Sequence, residues 1–255
     1  MSGAAAPPAT AARRVAATRY VTPLREGGSL PGLVEADDDG LYVVKFRGAG
    51  QGAKALVAEV VVGELARALG FPVPELVLIE LDAQLGAAEP DPEIHDLINA
   101  SVGSNLGVDF LPGALAFDEC AARGLAAEWC AEVVWLDALT TNVDRTPRNP
   151  NLLVWHGRTW LIDHGAALYL QHGATDLPSL AERPFPGIGD HVLLPRAGSV
   201  VEAHERLAER AAAAVPGAAA LVPEDWVDDV APYVEYLERR LAWGGFAEEA
   251  ERGRP

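Results

Sequence analysis

Asn142-Val-Asp-Arg-Thr-Pro-Arg-Asn-Pro-Asn-Leu-Leu-Val154, followed shortly by Leu161-Ile-Asp-His-Gly165, is the stretch from which the rest of the chain can be read. It presents, in order, an acidic residue, two amides, a short apolar strand, a tight turn and a second acidic residue. Residues 152–155 and 159–162 are predicted as a strand pair turned at His156-Gly157. Asp163 ends the second strand, and Gly165 permits a sharp exit. Asn151 and Asp163 sit on opposite arms of that hairpin, so their side chains can converge. Carboxylate and amide oxygens are hard donors that suit Mg²⁺. Asp144 stands in a loop outside any apolar run, where a carboxylate can accept or orient the proton of an incoming hydroxyl. Each residue alone is commonplace; their order and spacing carry the signal.

Working outward, β-forming segments gather before residue 82 and long helices after 115. Residues 20–22 and 75–81 are expected as strands. Asp37-Asp-Asp-Gly40 is a hairpin turn feeding the strand Leu41-Tyr-Val-Val-Lys-Phe46. A helix is expected over 54–69, with Gly70 as its C-cap and Pro72 beyond. Residues 83–98 are expected as a loop with a short helix. Residues 101–113, with three glycines and a proline, read as a connector. One long helix is expected over 117–141, little regular structure over 173–198, and helices over 200–215 and 223–250. Segregated strands and helices give an α+β class. The expected organisation is a disordered segment 1–18, a lobe 19–112 and a second lobe 113–255.

Two residues in the first lobe break the apolar pattern. Lys45 lies in a strand between Val43, Val44 and Phe46. Glu59 sits in a helical run that is otherwise apolar from 55 to 62. A carboxylate there is costly unless paired, and the strand–helix order puts Lys45 within reach. Gly27, Gly28 and Ser29 precede the strand; glycines let a backbone approach a phosphate and offer N–H groups to it. An ordinary turn has the same composition. Arg145 is expected to pair with a carboxylate or a phosphate oxygen. His164 is read as a packing or hydrogen-bonding residue, and Glu64 as a surface residue.

The 255 residues are 49% hydrophobic and 22% charged, the composition of a globular protein. No run approaches the ~18 apolar residues that span a bilayer. The net charge of −17 disfavours nucleic acid and anionic lipid surfaces as partners. A local positive pocket with Mg²⁺ still admits a nucleotide. Cys120 and Cys130 are the only cysteines; they form no disulfide framework, suit a reducing cytoplasm and are read as buried helical thiols.

The ordered set Lys45, Glu59, Asp144, Asn151 and Asp163 resembles the HipA-like kinases, which share a protein-kinase-like fold with the phosphoinositide lipid kinases. The likeness is carried by Tyr42-Val-Val-Lys-Phe46, Ala58-Glu-Val-Val-Val-Gly-Glu-Leu-Ala66, Gly70-Phe-Pro-Val-Pro-Glu75 and, most specifically, the opening stretch. It runs from about residue 20 to 170. It implies a bilobal fold with a small β-rich N-terminal lobe and a mainly helical C-terminal lobe. It also implies that Lys45 binds ATP phosphates, steadied by Glu59, that Asp144 is the catalytic aspartate, and that Asn151 and Asp163 hold Mg²⁺. Residues 108–111 would receive adenine through backbone groups. Asn149 has the family's usual five-residue spacing from Asp144, whereas Asn151 has the usual place before the strand; Asn151 is favoured and Asn149 is the alternate. No His-Arg-Asp is present.

The resulting expectation is an ATP- and Mg²⁺-dependent phosphotransferase acting on a Ser/Thr hydroxyl of a protein or on a small molecule. The alternatives are a nucleotide-binding module without turnover, transfer of AMP by the same residues, and a metal-dependent hydrolase using Asp144, Asp163 and His164.

Overall fold

The computed structural model describes residues 12–24, 30–50, 52–86 and 89–254. Strands β1 (Arg14–Pro23), β2 (Gly32–Ala36) and β3 (Leu41–Lys45) precede helix α1 (Gly52–Leu69). Then come β4 (Leu76–Leu81), α2 (Pro92–Ala100) and β5 (Gly103–Asp109). The five strands close a barrel in the order β1-β2-β3-β5-β4. All pairings are antiparallel except β1 with β4, where Arg14, Val15 and Ala16 run parallel to Leu78, Ile79 and Glu80. Side chains alternate across each strand. In β3 this sends Tyr42 and Val44 into the barrel core with Val34, Val77 and Ile79. Val43 and Lys45 therefore fall on the other face.

Helix α1 is buried on nearly every side from Leu56 to Gly63. It lies between β4 and the longest helix of the second half, α5 (Val200–Ala219). Helix and sheet approach closely at Gly63, where a Cβ would sit 2.8 Å from Leu76 Cδ1. Gly70 ends α1 with φ of 96°, as expected of a C-cap glycine.

The chain continues through β6 (Leu115–Ala116), α3 (Glu119–Ala122), α4 (Ala127–Leu139), β7 (Leu152–Trp155) and β8 (Arg158–Leu161). Strands β6, β7 and β8 form a small separate sheet. Short 3₁₀ turns fill 169–196, and α5, α6 (Ala231–Trp243) and α7 (Gly245–Arg252) complete the described chain. The helices share one core with α1, from Leu56 through Trp135 and Leu207 to Phe246. Among the described residues no helix is long and apolar enough to cross a membrane.

Several expectations are corrected. Of the segment 1–18 expected to be disordered, residues 1–11 lie outside the described residues and Arg14 to Thr18 belong to β1, held by pairing with β2 and β4 that the Ala-rich local sequence does not advertise. The connector at 101–113 is largely β5. Its Gly107 reads as a breaker but is a packing residue: a Cβ there would lie 2.7 Å from Val77 Cγ2 on β4. The helix expected over 117–141 is two helices. Asp118 caps the first through Ala121 N–H, and the turn at Arg123-Gly124 separates them. The last long helix starts at Ala231, not 223, and breaks at Gly244, whose φ is 67°. Cys130 is buried as expected, but Cys120 is exposed. Glu64 is half-buried rather than superficial and faces Arg67 at 3.5 Å.

Candidate active site

Three side chains from distant elements meet at one point. Lys45 Nζ, at the end of β3, contacts Glu59 Oε1 on α1 and lies 2.6 Å from Asp163 Oδ1, which follows β8. Glu59 is 2% exposed, so its carboxylate needs partners. Besides Lys45 it accepts the backbone N–H groups of His164 at 2.9 Å and Gly165 at 2.7 Å. One buried carboxylate thus ties α1 to β3 and to the turn after Asp163. A Cβ on Gly165 would come within 2.9 Å of Glu59 Oε1, so glycine is what lets the turn close on α1.

The charges follow from these contacts. Burial works against a charged Lys45, but the two carboxylates outweigh it and raise its pKa above the usual lysine value. Burial likewise opposes a charged Asp163, yet Lys45 holds its carboxyl below the usual carboxylate range. Burial pushes Glu59 up to about 7, with Lys45 opposing. Burial drives His164 down to about 3, leaving the ring neutral. Its Nδ1 faces an Arg145 N–H at 3.4 Å, in keeping with a packing and hydrogen-bonding role.

Asp144 lies in the loop between α4 and β7. Its Oδ2 accepts the side-chain amides of Asn149 at 2.7 Å and Asn151 at 3.3 Å. Residues 146–149 form a tight turn, with Thr146 N–H donating to Asn149 O at 3.0 Å and Asn149 N–H to Thr146 O at 3.1 Å. Asn149 is exposed on that turn; Asn151 is buried at the head of β7. Ile162 N–H donates to Asn151 O at 3.1 Å, which brings Asn151 beside Asp163 as the hairpin spacing predicts. Both have left-handed backbones, φ of 49° and 56°, a conformation that Asn and Asp tolerate better than most residues. Thr141, where α4 gives way to this loop, has φ of 51°. A β-branched residue is strained there.

The donor chemistry fits a divalent cation. Asn151 spends its N–H on Asp144, leaving its amide oxygen to accept. Asp163 is ionised, with a side chain 47% exposed. Among the described residues no three His, Cys, Asp or Glu side chains cluster as a ready cage. One carboxylate and one amide suit Mg²⁺ held jointly with substrate phosphates.

Arg145 is corrected. The expectation left it a carboxylate or a phosphate oxygen; it takes the carboxylate. The residue is 1% exposed, its Nε lies 2.5 Å from Asp137 Oδ2, and its Nη1 donates to Asn151 O. It faces the interior and is not part of a phosphate site. Asp137, unflagged in the sequence, is fully buried on α4. The signal was present: it stands in the apolar run 133–139 much as Glu59 does in its own.

A cleft of about 610 Å³ opens beside these residues. Lys45, Glu59, Ile162 and Asp163 line it, as do the apolar side chains Val43, Leu76, Val108, Phe110 and Leu111, an apolar wall interrupted by Asp109. The expected nucleotide-contacting residues Gly27, Gly28 and Ser29 lie outside the described residues.

Comparison with known proteins agrees with this geometry. A family model described as HipA-like kinase matches residues 18–239. Among solved structures, a proinflammatory kinase of Helicobacter pylori, CtkA, is similar at 13% identity with a TM-score of 0.57, over 92% of this chain and 95% of its own. The Golgi casein kinase, solved with Mn and ADP bound, is similar at 13% identity with a TM-score of 0.54, over 95% of this chain and 73% of its own. At these identities the likeness shows a shared kinase-like fold. No curated protein sequence matches the chain.

Proposed function

The chain belongs to the HipA-like kinase family, and from that premise we propose that it is an ATP- and Mg²⁺-dependent phosphotransferase whose acceptor is a Ser/Thr hydroxyl of a protein or the hydroxyl of a small molecule. The observation that carries the reading is the convergence of Lys45, Glu59 and Asp163 from β3, α1 and the end of β8 at the mouth of one cleft. The Mn and ADP bound to the Golgi casein kinase support nucleotide and divalent-metal use on this fold.

In this reading residues 19–112 form the nucleotide-binding lobe and 113–255 the catalytic and helical lobe, in a cytoplasmic protein. The apolar wall of Val43 and Leu76 takes the adenine, with the backbone of 108–111 alongside. Lys45, fixed by Glu59, donates ammonium N–H groups to phosphate oxygens. Asp163 and Asn151 are the protein ligands of Mg²⁺, and Asn149 is the alternate amide. Mg²⁺, when bound, neutralises charge on the phosphates. Asp144 orients the acceptor hydroxyl and takes its proton, its own carboxylate held by Asn149 and Asn151. Catalysis of this kind is mostly positioning and electrostatics.

The test is thermal unfolding with ATP, with and without Mg²⁺. A ligand that binds only the folded state raises the melting temperature by mass action. Wild type is expected to show a Mg²⁺-dependent rise that Asp163→Ala loses. No shift in wild type under any condition would reject nucleotide binding.

A further inference from the structure

The buried carboxylate of Asp137 touches neither the cleft nor solvent, yet it is bound to the parts of the site that must keep register. Its Oδ1 accepts the side-chain amide of Asn142 at 3.0 Å, and Asn142 Oδ1 in turn accepts Asp144 N–H at 3.0 Å. Its Oδ2 accepts Arg145 Nε at 2.5 Å, and Arg145 Nη1 then reaches the carbonyls of Asn151 and, at 3.4 Å, Ile162. The same Oδ2 accepts His191 Nε2 at 2.9 Å. His191 Nδ1 accepts Leu193 N–H at 3.0 Å, which places the ring proton on Nε2, toward Asp137. Val192 N–H donates to Arg145 O at 3.0 Å, so residues 191–193 are pinned against the Asp144 loop.

Burying such a cluster is not a favourable way to gain stability. Replacing a buried ion pair with well-packed apolar residues is often neutral or stabilising, whereas removing one partner is costly. What the cluster provides is geometry: fixed donors in a dry interior hold backbone positions to within a hydrogen bond's tolerance.

Building on the kinase reading, we infer that Asp137 is a positioning residue for the metal-ligand pair and the catalytic aspartate. It acts through Arg145 on the backbone around Asn151 and Asp163, and through Asn142 on Asp144. Its link through His191 extends the same frame to residues 191–193. Groups that orient metal ligands from behind commonly change metal affinity by roughly 10–100-fold when removed. The expected signature is therefore loss of Mg²⁺ affinity with nucleotide affinity intact, because the apolar wall stands outside the Asp137 network and Lys45 keeps Glu59 as a partner.

The experiment titrates Mg²⁺ against the full chain at fixed ADP and reads the melting temperature, for wild type, Asp137→Asn and Arg145→Lys. Asp137→Asn keeps the shape and removes the charge. Arg145→Lys keeps the charge but loses the fork that holds the two carbonyls, and so guards against a first variant that fails to fold. Both are expected to need at least tenfold more Mg²⁺ for the half-maximal shift. ADP affinity measured in EDTA should stay within about twofold of wild type. A purely structural role would lower the ligand-free melting temperature and leave the Mg²⁺ midpoint where it was; that result in either folded variant overturns the assignment. A wild type with no Mg²⁺-dependent shift would instead overturn the kinase reading, and the positioning role with it.

Discussion

At the scale of single residues, the charges in apolar runs organise the site. Glu59 was legible because a carboxylate in such a run must find partners, and it finds Lys45 and two backbone N–H groups. The same rule applied to Asp137 but was obscured by the more conspicuous Asp144 loop that follows it. Arg145 could not be resolved in sequence, since a carboxylate and a phosphate offer a guanidinium the same geometry. Replacing Glu59 with Ala should leave Lys45 without its orienting partner and the Gly165 turn without an acceptor. Binding of Mg²⁺·ATP is expected to weaken about tenfold, a loss of roughly 1.4 kcal/mol, measured by calorimetry. An unchanged dissociation constant would remove Glu59 from nucleotide binding. Asp144→Asn keeps the contacts' shape but removes the proposed base; turnover is expected to vanish while the melting temperature stays near wild type.

At the scale of elements, what the sequence concealed is where composition and role part company. Strand β5 carries Gly103 and Gly107, and glycine counts against a strand on propensity. In the barrel Gly107 faces Val77 closely enough that no side chain fits. Gly107→Ala is expected to destabilise by about 1–3 kcal/mol, the usual cost of overpacking, as a lower urea midpoint at unchanged slope. A wild-type midpoint would mean that β4 and β5 can separate without penalty. The β7–β8 hairpin lay in plain view, because a short apolar run, His156-Gly157 and a second run give turn and register together. Helices α6 and α7 look continuous in sequence because only the αL backbone of Gly244 divides them.

At the scale of the whole molecule, the buried titratable groups set how stability responds to acid. His164, His191 and His204 are all held below the usual histidine pKa, burial being the largest cause. A group with a lowered folded pKa contributes stability that is present above its unfolded value, near 6.5, and lost as pH falls below it. Glu59, raised to about 7, takes up a proton across the same range and works in the opposite sense. Histidines held low from an ordinary value near 6.5 outweigh the carboxyl raised to about 7, so a net loss of stability is expected as pH falls from 7 to 5. Urea unfolding at pH 7, 6 and 5 measures it, and a flat profile would show that these rings are hydrated. Asp137 and Asp163, both held low, add a further loss only below the ordinary carboxylate range. The closure of the barrel has a practical consequence for anyone shortening the protein. Trimming to residue 24, as an Ala-rich start invites, would delete β1 and strip β2 and β4 of a partner on one side. Two raw strand edges would then face solvent, a template for sheet growth between molecules. The trimmed chain should accumulate as insoluble aggregate, whereas one that retains Arg14 to Pro23 keeps β1 between β2 and β4.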